Sequence, residues 1–120
     1  MLERIQGLPD NVLGFKATGE VTGGDYESVL IPAVEELLAR QKSIRFLYHL
    51  GEEFTGFDAK AMWDDAKVGL QHLTAWERVA VVTDVGWLRT AVNAFGFIMP
   101  GHVKVFSNGD LEAARKWLCE

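Results

Sequence analysis

Ile44-Arg45-Phe46-Leu47-Tyr48-His49-Leu50 is a short run, apolar at most positions, and reads as a central strand of a sheet. Val79-Ala80-Val81-Val82-Thr83 reads the same way. Val103-Lys104-Val105-Phe106 alternates apolar and other residues, which sets it closer to a sheet edge. Helical stretches separate these runs. Strands alternating with helices imply right-handed crossovers and parallel pairing, so these residues decide an α/β fold.

Outward from that centre, Leu2 to Leu8 and Val12 to Val21 flank the turn formers Pro9-Asp10-Asn11. In the second arm Val12, Gly14, Lys16 and Thr18 share one face, and Leu13, Phe15, Ala17 and Gly19 the other. This period-two pattern predicts an N-terminal antiparallel β-hairpin with one buried face, ended by Thr22-Gly23-Gly24. Asp25 is the expected cap of the first helix, along which Tyr26, Leu30, Ala33, Val34, Leu37 and Leu38 recur at helical spacing. Pro32 has no amide to give, so it marks either a kink or the true first turn. Further helices are expected over Asp58 to Leu73, with Met62, Ala66, Leu70 and Leu73 on one face, and over Val85 to Met99. The last, Asp110 to Cys119, is capped by Asp110 and turns Leu111, Ala114, Trp117 and Leu118 inward. The expectation is one domain over residues 1–120: a mixed, mostly parallel sheet of about four or five strands with about four helices.

Composition narrows the partners. A hydrophobic fraction of 48% with 24% charged residues is that of a globular chain and argues against disorder. The net charge of -5 repels nucleic acid and anionic lipid alike, so no nucleic-acid partner is expected. Cys119 is the single cysteine, which forbids an internal disulfide and suits a reducing compartment. Met1 to Gly7 lacks the basic end and apolar run of a secretory leader, and no stretch approaches the roughly 20 apolar residues of a membrane span. A cytoplasmic protein is expected.

Chemistry-bearing patterns are sparse. His49, His72 and His102 stand far apart and, with one cysteine, predict no metal site. Glu52-Glu53 and Asp64-Asp65 are paired acids; adjacent helical residues point in different directions, so Asp64-Asp65 makes no facing pair, and solvated charge is the reading. Glu20 and Asp25 line the glycine-containing turn from Gly19 to Gly24 and would repel a phosphate. No nucleotide loop or nucleophile elbow occurs, so neither a cofactor nor a catalytic residue is expected, and the chain reads as a non-enzyme.

The stretch from Val85 to Met99 carries more apolar surface than one helix needs against one sheet face. Leu88, Ala91, Val92, Phe95 and Met99 make one face, and Trp87, Ala94, Phe97 and Ile98 cover much of the remainder. The favoured use is a homodimer seam, since aromatic and Met side chains enrich interface cores. A pocket for a lipid-like or other apolar ligand ranks second. Contact with a membrane surface ranks last, because Arg89 is the only cation on the polar side.

Several strings resemble the SpoIIAA-like family of the STAS superfamily, the anti-sigma-factor-antagonist fold. They are Gly51-Glu52-Glu53-Phe54-Thr55-Gly56-Phe57, the stretch from Trp87 through Phe95-Gly96-Phe97, Pro100-Gly101-His102-Val103-Lys104-Val105-Phe106, and Glu112-Ala113-Ala114-Arg115-Lys116-Trp117-Leu118. The resemblance spans essentially the whole chain and implies a binding or regulatory module, with a relationship to CRAL-TRIO-type domains, some of which carry lipids. In the antagonist branch a serine before the second helix is phosphorylated within Asp-Ser-Ser-Gly. The corresponding loop here is Glu53-Phe54-Thr55-Gly56, with Thr55 at the acceptor position and Phe54 departing from the pattern. A phosphate there is expected to lie near a helix N-terminus, which favours anions.

Overall fold

A computed structural model describes residues 1–120. Five strands form one sheet in sequence order: β1 (Leu2–Arg4), β2 (Val12–Val21), β3 (Ile44–Phe57), β4 (Trp76–Thr83) and β5 (His102–Phe106). β1 runs antiparallel to β2, and every later pair is parallel. The mixed, mostly parallel α/β architecture expected from the sequence is therefore the observed one.

Strand order dictates where the helices lie. Each crossover from β2 to β5 moves one strand in the same direction, so right-handed connections put all three helical segments on one face. They are α2 (Ile31–Arg40), preceded by a helical turn α1 (Gly23–Asp25) and a π turn (Tyr26–Leu30), then α3 (Ala59–Gln71) and α4 (Gly86–Gly96). The last helix, α5 (Leu111–Leu118), folds back over the opposite face.

Alternation along the strands sorts the core into two layers. Leu13, Phe15, Phe46, Tyr48, Leu50 and Val81 face α2, α3 and α4, whereas Val12, Leu47, Ala80, Val82 and Phe106 face Ala114 and Leu118 of α5. Arg45 and Arg78 hold the far end of α5. Their guanidinium groups donate to the Leu118 and Trp117 carbonyls, each at 2.6 Å, where the helix leaves carbonyls unpaired and favours cations.

Several local expectations are revised. The N-terminal hairpin is present, but β2 is covered on both faces over its first four residues. Ile5 and Leu8 close over Gly14, where a Cβ would come within 2.6 Å of Leu8 Cδ1. The first helix is capped by Thr22, not Asp25: Asp25 N donates to Thr22 Oγ1 and Asp25 Oδ2 accepts from Thr22 N, a reciprocal capping box. Pro32 lies in the first turn of α2. The wider π turn sits where a regular helix would drive the proline ring into the Ser28 carbonyl. Asp110 stands at the start of α5, but its side chain makes no capping bond.

Two larger revisions bear on function. β3 does not end at Leu50. It continues to Phe57, pairing with β2 through Phe54, Gly56 and Phe57, so the expected loop Glu53-Phe54-Thr55-Gly56 is strand. In α3 the residues against the core are Ala61, Asp64 and Val68, not the expected Met62–Ala66–Leu70–Leu73 face. Met62 and Leu70 are exposed, and only Leu73, beyond the helix end, packs on the core.

One close approach closes the sheet edge. A Cβ on Gly101 would overlap the Trp76 carbonyl oxygen and lie 2.7 Å from that of Glu77, so only glycine fits beside the start of β4. Gly109 instead faces open space with ordinary backbone angles. Urea unfolding is expected to show Gly101→Ala destabilised by about 1–3 kcal/mol, as for overpacking against backbone. Gly109→Ala should be neutral or slightly stabilising, by about 0.4–1 kcal/mol at most.

Candidate functional site

α3 and α4 lie side by side over β3 and β4 without closing on each other. Phe95 of α4 rests against Gly69 of α3, where even a Cβ would be 3.3 Å from Phe95 Cζ. Beyond that contact the helices leave a cleft of about 290 Å³. Phe46, Tyr48, Val79 and Val81 form its floor, Met62, Ala66 and Val68 one wall, and Trp87, Leu88, Ala91, Val92 and Phe95 the other. Seventeen of its nineteen lining residues are hydrophobic, which is the composition of a small-molecule site with few orienting groups.

Aromatic rings border the cleft in a connected run. Trp76 meets Phe46, Phe46 meets Tyr48, Tyr48 meets Phe57 and Phe57 meets Trp87, with centroids 5.6, 5.5, 6.5 and 6.3 Å apart. All four contacts are edge to face, the arrangement in which a ring's positive rim meets its neighbour's negative face. Trp76 Nε1 donates to the Gly69 carbonyl at 3.3 Å, tying the floor to α3.

The polar groups form one relay. Tyr26 Oη donates to Asp65 Oδ1 at 2.7 Å, and the Tyr26 and Tyr48 hydroxyls lie 2.8 Å apart. An ionised Asp65 only accepts, so the single Tyr26 proton goes to it and Tyr48 donates to Tyr26. Asp65 is the one ionisable carboxylate lining the cleft. Its surface opens into the cleft, yet protein crowds it closely enough that burial pushes its pKa up, an effect only partly offset by the Tyr26 hydrogen bond. Burial, and next the Asp65 charge, hold both phenols protonated well above their ordinary range.

The sequence-predicted residues separate into three groups. Trp87, Leu88, Val92 and Phe95 line the cleft, Met99 is buried in the main core, and Phe97 and Ile98 point to solvent, 90% and 58% exposed. The α4 helix itself ends at Gly96, short of the expected Met99. Glu53, Thr55 and Gly56 lie on the extended β3. Glu53 pairs with Lys16 at 3.1 Å, and Thr55 is exposed. One amide at the start of α3 is already taken: Asp58 Oδ1 accepts from Ala61 N at 2.7 Å, and also from Gly23 N of α1 at 3.1 Å.

Asp64 is not solvated charge, and Asp65, though exposed, is tied to Tyr26 by a hydrogen bond. Asp64 is buried, with Oδ2 unpartnered, beside a second, polar hollow between α2 and α3 lined by Glu27, Glu35, Lys67 and His72. No group of three or more His, Cys, Asp or Glu is arranged to hold a metal ion. No helix is long and apolar enough to cross a membrane. Sequence reasoning missed Tyr26, Tyr48 and Asp65 as a set. The available signal was a tyrosine in place of phenylalanine or leucine at each of two buried positions, since a buried phenol needs a partner.

Comparison with known proteins agrees with this architecture. A SpoIIAA-like family model matches residues 12–119. The crystal structure of an uncharacterized DUF3478-family protein with a SpoIIAA-like fold, from Shewanella loihica PV-4, superposes with a TM-score of 0.75 at 33% sequence identity. That match covers 99% of this chain and 93% of the other. No curated protein matches. The chain belongs to the SpoIIAA-like family.

Proposed function

We propose that this STAS-type module binds a small, largely apolar molecule in the cleft between α3 and α4. Membership of the SpoIIAA-like family makes a regulatory or binding module the starting point. The observation that carries the reading is the cleft: about 290 Å³, hydrophobic at seventeen of nineteen positions, Tyr48 among them, with Asp65 as its one charged group. A helix packed only for stability would close on its neighbour, because unfilled apolar space forfeits dispersion contacts. The surplus apolar surface of α4 is thereby used in walling a cavity. No reaction is proposed.

Self-association is a second reading, favoured by the neighbouring exposure of Phe97 and Ile98 just past α4. Leu88 and Phe95 do not serve that seam, since Leu88 is buried and Phe95 packs on Gly69. On this reading Phe97→Asp turns a dimer into a monomer in sedimentation velocity, with unfolding stability within about 0.5 kcal/mol of the parent. A monomeric parent at high micromolar concentration removes it.

The cleft is tested by filling it. Ala91 lines the wall and is exposed, so Ala91→Trp should occupy the space without disturbing the sheet. The parent should brighten the neutral dye Nile red and release a stoichiometric compound on organic extraction. Ala91→Trp should do neither, while keeping its melting temperature. Equal dye response in both proteins would refute the cleft as the site.

A charge kept against an apolar cleft also weakens the fold. Asp65 titrates higher in the folded protein than in the unfolded chain, so the folded state holds its proton more tightly. Its contribution to stability is most favourable below the ordinary carboxylate range and is lost as pH rises through the raised folded value. Asp65→Asn keeps an acceptor for Tyr26 and removes the charge. Its melting temperature should exceed the parent's at about pH 7, and the gap should close as pH falls to about 4.

A further inference from the structure

We infer that the molecule taken up in the α3–α4 cleft is an organic amine, an apolar body carrying a protonated nitrogen that pairs with Asp65. The inference rests on the cleft being a small-molecule site and concerns the chemistry of the occupant. Three features of the site point to it independently.

The first is charge. Asp65 is the only ionisable carboxylate among the lining residues, and no Lys, Arg or His lines the cleft to neutralise it. Its one protein partner is the Tyr26 hydroxyl on Oδ1, which leaves Oδ2 and a further lone pair for a ligand. A carboxylate or phosphate head would meet a like charge that no cation of the cleft compensates. An ammonium would complete a charge-assisted hydrogen bond.

The second is the direction of the relay. The Tyr48 proton is committed to Tyr26 and the Tyr26 proton to Asp65, so both phenols spend their donors inside the protein. What the relay offers outward is acceptor capacity alone. Its complement is a donor, and an ammonium group has donors only.

The third is the aromatic border. Tyr48, Phe57 and Trp87 are in mutual contact beside this acid, and Phe57 also meets Tyr26 at 6.4 Å. Ring faces attract a desolvated cation, so the same rings that hold an apolar body also favour the charge beside it. The net charge of -5 raises the local concentration of cations around the protein.

The experiment titrates the intact chain with phenylbutylamine, phenylbutanol and phenylbutanoate, which share one apolar body and differ in the head. Binding is followed by displacement of Nile red and by calorimetry at neutral pH. The amine should bind about tenfold more tightly than the alcohol, and the carboxylate more weakly than either. Asp65→Asn should lower amine affinity about tenfold and abolish the preference for the amine over the alcohol. Dye binding with no preference for the amine, or with the carboxylate preferred, overturns the amine assignment and leaves the cleft as a site for neutral apolar molecules. Failure of the dye and of all three compounds removes the cleft reading itself, and the assignment with it.

Discussion

Phe46, Tyr48 and Leu50 on one side of β3, and Leu47 on the other, must all be covered at once, because β3 is the middle strand of the sheet. Burying a large apolar side chain contributes about 1.5–3 kcal/mol, and leaving one sheet face open would forfeit several such terms. Parallel crossovers in one direction put every connecting helix on the Phe46–Tyr48–Leu50 side. The other side depends on α5, with Ile5 and Leu8 covering only its β2 end, and the attachment of α5 through Arg45 and Arg78 follows from that need. Two arginines in adjacent strands would be costly inside a protein without partners. Here the exposed carbonyls of a helix end supply them, and Glu77 pairs with Arg45 as well.

Crowding three helical segments onto one face also explains the cleft. α2 packs tightly over β2, with Val34 and Leu37 in the core. α3 and α4 cover the remaining strands, but their inward residues are small or few: Ala61, Asp64 and Val68 on α3, and Leu88 on α4. Small residues let the helices sit close to the sheet without reaching across to each other. The cavity is thus a product of where bulk is placed, with Trp87 and Met62 at about half exposure along its mouth.

Much of the fold was legible in the residues. Ile44–Leu50, Val79–Thr83 and Val103–Phe106 all became parallel strands, because runs of β-branched and apolar residues have few other uses in a chain of this length. The stretch from Gly51 to Phe57 was harder only because Gly51-Glu52-Glu53 looks like a turn, while its pairing with β2 is a matter of partner, not of local preference. The cap at Thr22 was hidden by Asp25, which belongs to the same box from the other end. The site was least legible. Whether Asp65 meets solvent or Tyr26 depends on the rotation of α3 about its axis, which alternating polarity does not specify when Met62, Ala66 and Val68 are all apolar. The bond itself joins residues 39 apart in sequence.

Past Leu50 the outer edge of β3 has no strand beside it, since β4 stops at Thr83. An unpartnered edge is a template on which another chain can add itself. Glu52 and Glu53 stand at that edge in exposed positions, and Gly56 adopts a φ of 149° that β-forming side chains resist. Charge standing on this arm disfavours edge-to-edge pairing with a second chain.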